Sequence, residues 1–192
     1  MNAPLLILAV GNPSRGDDAL GPLLLERLRA DGLDAGGQVE LLCDFQLQVE
    51  HTLDLQGRSA VLLVDAARPG VVQAAHIAPL LPRPGRPAPA SHALDASTLL
   101  GLALALHGAT PPAWVLAIEG AAFGLGEGLS PQAQQHLEHA YRLAHAWIGA
   151  QLAARINRTA SFTDGNSAAA PGGVQTEFES VRGRADLGYC PL

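Results

Sequence analysis

Apolar positions along this chain alternate between short unbroken runs and helical stripes, a pattern that predicts strands interleaved with helices. Residues 5–10, LLILAV, run without a polar break to Gly11 and turn through Asn12, Pro13 and Ser14. Beyond the turn, Leu20, Leu23, Leu24 and Leu28 recur at helical spacing and predict a helix over 18–30. QVELLC at 38–43 alternates as a strand, and LQVEHTLDLQ at 47–56 has the period of a helix. AVLLV at 60–64 is short, apolar and β-branched, the mark of a strand buried on both faces. An edge strand is expected over 71–78. It leads into a loop whose five prolines between Pro79 and Pro89 can continue neither helix nor ladder. A helix over 92–106 with Ser91 as its N-cap, a strand over 113–118 and a helix opened by Ser130-Pro131 and running to about Arg155 complete the pattern.

Strands that alternate with helices specify an α/β fold with a mostly parallel sheet and helices on both faces. From about Asn157 the sequence turns small and polar, so residues 1–156 are expected to form the domain and 157–192 a mobile extension. No run reaches the 18 or so apolar residues of a membrane span. The start, MNAPLLILAVGN, lacks a basic leader segment and enters the first strand directly, so a cytoplasmic protein is expected.

Charge removes further classes. The net charge is −6 and all 12 basic residues are arginine, which excludes a phosphate-loop lysine and a Schiff-base lysine. The arginines are scattered, so nucleic-acid binding is not expected. Gly11, Gly16 and Gly21 fit neither nucleotide-binding glycine pattern, and the acids beside them would repel a phosphate; no nucleotide cofactor is expected. With only Cys43 and Cys190 there is no disulfide framework or cysteine-rich zinc site, and Cys43 reads as an apolar strand residue.

The acids carry the candidate chemistry. Asp17 and Asp18 follow the first strand, Asp44 the second, Asp65 the third and Glu119 the strand over 113–118. Parallel strands share one carboxyl edge, where ligands sit, and His92 at its helix start can reach the same edge. Two aspartates and a histidine form an oxygen/oxygen/nitrogen set that nickel or zinc accepts, and three ligands leave a position open. Each acid taken alone could equally be a cap or turn former. His136, His139 and His145 read as a solvated helix face, and His51 and His107 as surface residues without partners.

GNPSRGDDALG at 11–21 resembles the GNxxxxDDxxG motif of the NiFe-hydrogenase maturation endopeptidases. LLVDAA at 62–67, SHALDASTLL at 91–100, AWVLAIEG at 113–120 and LSPQAQQHLEHA at 129–140 resemble, in order, that family's later elements. The resemblance spans roughly residues 5–150. It implies a three-layer sandwich around a five-stranded sheet, and a nickel-contacting trio of Asp18, Asp65 and His92. It also implies removal of a C-terminal extension from the nickel-loaded large-subunit precursor of a hydrogenase. Many members carry a GG-T/S loop after the second strand. Here Asp44-Phe45-Gln46-Leu47-Gln48 stands there, resembling the branch that serves cytosolic NAD-linked hydrogenases.

Two chemical schemes are open. In one, a bound metal polarises the scissile carbonyl or activates water. In the other, which the resemblance favours, nickel arrives within the precursor and the trio only reads it. Cleavage then needs a separate acid–base group, expected to be Asp17, with Asp44 and Glu119 behind it, because neighbouring carboxylates can share a proton. A monomer is expected. The alternative from another class is a non-catalytic nickel-sensing or chaperone module that binds the precursor without cutting it.

Overall fold

The computed structural model describes residues 2–83 and 94–163, the last five through their backbone alone. In chain order the strands are β1 (Leu5–Val10), β2 (Val39–Asp44), β3 (Ala60–Ala67), β4 (Ala75–Leu80) and β5 (Ala113–Glu119). The helices are α1 (Leu20–Ala30), α2 (His51–Asp54), α3 (Ala96–His107) and α4 (Pro131–Thr163), and a single 3-10 turn at Gly16–Ala19 precedes α1.

The five strands form one sheet in the order β2-β1-β3-β5-β4. The first four are mutually parallel and β4 runs antiparallel along the edge. Alternation of side chains gives the sheet two apolar faces. Leu5, Ile7, Leu62 and Val64 pack against Leu24 and Leu28 of α1 and Ala140, Ala144 and Ile148 of α4. Leu6, Leu8, Val61 and Leu63 face the other way, onto Leu55 beside α2 and Leu99, Leu100 and Ala103 of α3. The expected three-layer α/β sandwich, with a mostly parallel five-stranded sheet, is the observed architecture.

Several boundaries moved for identifiable reasons. The helix expected over 18–30 begins as the 3-10 turn, and the one expected over 47–56 contracts to His51–Asp54. β4 occupies 75–80 and not 71–78, because Glu119 gathers the preceding loop: its Oε1 accepts from Gly70 N at 2.7 Å and its Oε2 from Ala74 N at 3.3 Å. Pro79 therefore lies within a strand, opposite Trp114, where an edge tolerates its missing N–H. α3 starts at Ala96 and not at 92. Asp95 caps it by accepting from Thr98 N and Thr98 Oγ1, both at 2.8 Å. Ser91 and His92 lie outside the described residues. α4 opens with Ser130 as expected, its Oγ accepting from Ala133 N at 3.2 Å, and continues to Thr163, past the expected limit at 155. Among the described residues no helix is long and apolar enough to cross a membrane.

Arg58 closes the far edge of the sheet. Its guanidinium, 1% exposed, donates to Ala3 O, Asp54 O and Glu40 Oε2 at 2.7–2.8 Å. Arg58→Leu orphans two carbonyls and a carboxylate. It is expected to cost about 2 kcal/mol in urea unfolding, chiefly from the two carbonyls that lose their buried donor, since the Glu40 side chain is 43% exposed.

Candidate functional site at the strand carboxyl edge

The first loop is tied to the edge by two consecutive amides. Gly11 N donates to the Asp44 carbonyl at 3.1 Å, and Asn12 N donates to Asp18 Oδ2 at 2.7 Å. β2's last residue and the first turn of the 3-10 segment are thus joined through the end of β1. Gly11 has φ +146°, and a Cβ there would overlap the Asp18 carbonyl oxygen. At Gly21 a Cβ would lie 2.7 Å from the Val10 carbonyl oxygen. These two glycines let the chain fold tightly over the end of β1, which places Asp18 at the edge.

The sheet register brings two more carboxylates to the same place. Leu8 pairs with Leu42 on one side and Leu63 on the other, and Val10 pairs with Asp44. Continued to Val10, the row reads Asp44, Val10, Asp65, on the sheet face that carries α2 and α3. Two strand spacings separate the aspartates by about 10 Å between Cα atoms.

Asp65 is recessed at the end of β3 but keeps a solvent-facing edge. Burial pushes its carboxyl up to about 7; an Ala66 amide hydrogen bond opposes the rise and the Asp18 charge adds to it. The Asp18 contribution to that rise accords with two carboxylates that share the carboxyl edge. Among the described residues, no three His, Cys, Asp or Glu side chains are close enough to hold a metal ion. His92, expected as the third ligand, lies outside those residues.

Asp17 does not face the edge. It is fully buried, with Oδ2 accepting from Ala121 N (2.7 Å), Ala122 N (2.9 Å) and Ser130 Oγ (2.8 Å), and Oδ1 from Ser130 N (2.7 Å). Burial alone would raise its pKa, but the amides of Ser130, Ala121 and Ala122 and the Ser130 hydroxyl together hold it below the usual carboxylate range. A carboxylate so saturated has no proton to share, so the expected acid–base role of Asp17 does not fit its geometry. It acts instead as a tie between the first loop and the β5–α4 loop. Two backbone bonds beside it, Gly16 N to Glu127 O at 3.2 Å and Gly126 N to Ser14 O at 2.8 Å, reinforce the same junction. Glu119, with both oxygens engaged by the β3–β4 loop, is likewise occupied.

Two histidines and a cysteine differ from expectation, and His107, on the surface as expected, is not without a partner, since its Nε2 lies 3.3 Å from Thr52 Oγ1. His51 is not a partnerless surface residue: its side chain is 8% exposed, its Nδ1 accepts from Gln48 N at 2.9 Å and its Nε2 stands 3.4 Å from Asp44 Oδ2. His136 is mostly buried, and its Nδ1 contacts the Glu119 carbonyl oxygen at 2.7 Å. A helical stripe cannot reveal a partner on a different element, so neither pairing was legible. Cys43 is exposed, with its thiol pushed up by partial burial and by the Asp44 charge, so it is not an activated nucleophile.

Comparison with known structures places this architecture among the hydrogenase maturation proteases, whose fold the chain shares. A NiFe-hydrogenase maturation protease, HycI, from Thermococcus kodakarensis superposes with a TM-score of 0.57 at 23% identity, over 76% of this chain and 92% of its own. The E. coli hydrogenase maturating endopeptidase HybD gives 0.56 at 21% identity, over 77% and 92%. A hydrogenase 2 maturation peptidase from a Thaumarchaeota archaeon gives 0.54 at 18%, over 76% and 97%. No family model matches the chain, and no curated protein matches it in sequence.

Proposed function

We propose that this chain is an endopeptidase that removes the C-terminal extension of a nickel-loaded hydrogenase large-subunit precursor. The supporting observation is the placement of Asp18 and Asp65 at one carboxyl edge of a fold that covers nearly the whole length of known maturation proteases. In this reading nickel is part of the substrate. Asp18 and Asp65, with His92, contact it and so test whether the precursor is loaded. The loop Asp44–Gln48, similar to that of the branch serving cytosolic NAD-linked hydrogenases, favours a precursor of that kind.

Hydrolysis then needs a base at the edge whose carboxylate is open to solvent. Asp17 is fully buried and the Glu119 side chain is 15% exposed, which leaves Asp44, held by its own loop but about one-third exposed and in the same register row as Asp65. Asp44 takes a proton from water as the water oxygen attacks the scissile carbonyl carbon. That proton passes to the leaving nitrogen as the C–N bond breaks.

The test is incubation of the protein with nickel-loaded and nickel-free precursor, read by mass spectrometry. Loss of one defined C-terminal peptide from the loaded form alone is expected. Asp18→Asn should remain folded and lower processing at least about 100-fold, because a neutral amide is a poor ligand and a poor reader of a cation. Normal processing by folded Asp18→Asn would remove that residue from the site. Binding without any mass change would favour the non-catalytic nickel-sensing module.

A further inference from the structure

Resting on the peptidase reading above, we infer that His51 is a positioning residue for Asp44, its buried imidazole standing against the carboxylate and limiting its orientation. The tautomer follows from the hydrogen bonds. A backbone N–H can only donate, so the 2.9 Å contact from Gln48 N makes His51 Nδ1 an acceptor and leaves the ring proton on Nε2. That nitrogen stands 3.4 Å from Asp44 Oδ2.

The rest of the loop converges on the same carboxylate. Phe45 N donates to Asp44 Oδ1 at 2.6 Å, and Gln48 Nε2 approaches Asp44 Oδ2 at 3.4 Å. Asp44 also anchors β1 through its carbonyl. The fold therefore sets a buried imidazole and a short helix, α2, around one acid that is about one-third exposed. A carboxylate needed only for solubility has no use for such support. The arrangement inverts the familiar acid-supports-histidine pairing: here the imidazole is sealed inside, 8% exposed, and the acid faces the solvent and the substrate edge. His51 does not touch the reacting atoms, and its effect passes through Asp44.

Three full-length proteins decide it: wild type, His51→Leu and His51→Gln, each assayed on nickel-loaded precursor after thermal melts establish that it is folded. Glutamine places an amide N–H near the position of Nε2–H, while leucine fills the space without a donor. His51→Leu should lower kcat about 10-fold or more with KM little changed, and His51→Gln should recover most of that loss. A purely structural role predicts that both variants lose stability together and that kcat per folded molecule is unaffected. Nitrogen-15 NMR of the His51 ring gives a readout independent of turnover: an Nε2–H tautomer is expected, whose Nε2 resonance moves in Asp44→Asn. An Nδ1–H tautomer, or equal kcat in all three folded proteins, overturns the inference while wild-type cleavage keeps the peptidase reading intact. If the wild type leaves loaded precursor uncut, the peptidase reading falls and the role of His51 falls with it.

Discussion

Asp65→Asn is expected to raise the melting temperature at pH 8 by about 10 °C while abolishing precursor processing. The cause is the environment of the carboxyl, pushed up to about 7 first by burial and then by the Asp18 charge, against the Ala66 amide that opposes it. In the unfolded chain the same group titrates at about 3.8. Between those two values the folded protein keeps a proton that the unfolded chain has released. Stability therefore falls as pH rises through that window, and the full cost is present above about pH 7. Three pKa units correspond to on the order of 4 kcal/mol. Asparagine cannot ionise, so the variant escapes the cost, and its advantage should shrink to nothing below about pH 4. Melts of both proteins from pH 4 to 8 check the prediction. A gain that is the same at every pH, or absent at pH 8, would show that Asp65 is not held in this way. A residue that destabilises the fold at working pH persists for what it does, and the role proposed above for Asp65 is contact with the precursor's nickel.

This tension also explains what the chain alone could disclose. The strands at 5–10, 60–64 and 113–118 were legible because a buried parallel strand must be apolar and short, and the edge strand at 38–43 because its residues alternate. Their order in the sheet then forced Asp18, Asp44 and Asp65 onto one edge. Element limits were less legible where a side chain from elsewhere sets them. Glu119 delays β4, and Asp95, not Ser91, caps α3. The same limitation governed the histidines. His51 sits in a segment whose helical period suggested a solvated residue, but its partner Asp44 lies seven residues back, across a loop whose path periodicity does not encode.

The adjacency of Asp17 and Asp18 was the most misleading local signal. Two neighbouring acids suggest a shared proton, but successive residues in a tight turn point in different directions. One reaches the edge through Asn12, and the other is swallowed by the β5–α4 loop. Sequence spacing fixes which residues enter the turn, not which of them the turn buries.

Asp17→Ala should be the most destabilising single change at this edge, at about 5 kcal/mol in urea unfolding. Removing the carboxylate strands the amides of Ala121, Ala122 and Ser130 and the Ser130 hydroxyl, all of which now donate to it. Charge-assisted bonds of this kind contribute about 1.5–3 kcal/mol each when formed, and they are not additive. The pH dependence has the opposite sign to that of Asp65. Hydrogen bonds hold the folded pKa of Asp17 below the unfolded value of 3.8, against the effect of burial. Its contribution is therefore present above about pH 4 and lost as pH falls through the folded pKa. Wild type should lose stability toward acid more steeply than the variant. Asp17→Asn separates support from chemistry, because it keeps one acceptor oxygen but cannot carry charge. Assayed at a temperature where it remains folded, it should process precursor with kcat within a few-fold of wild type, since the group it replaces is turned away from the edge. A folded Asp17→Asn that binds loaded precursor normally and cuts it about 100-fold more slowly would return the proton-transfer role to Asp17 and remove it from Asp44.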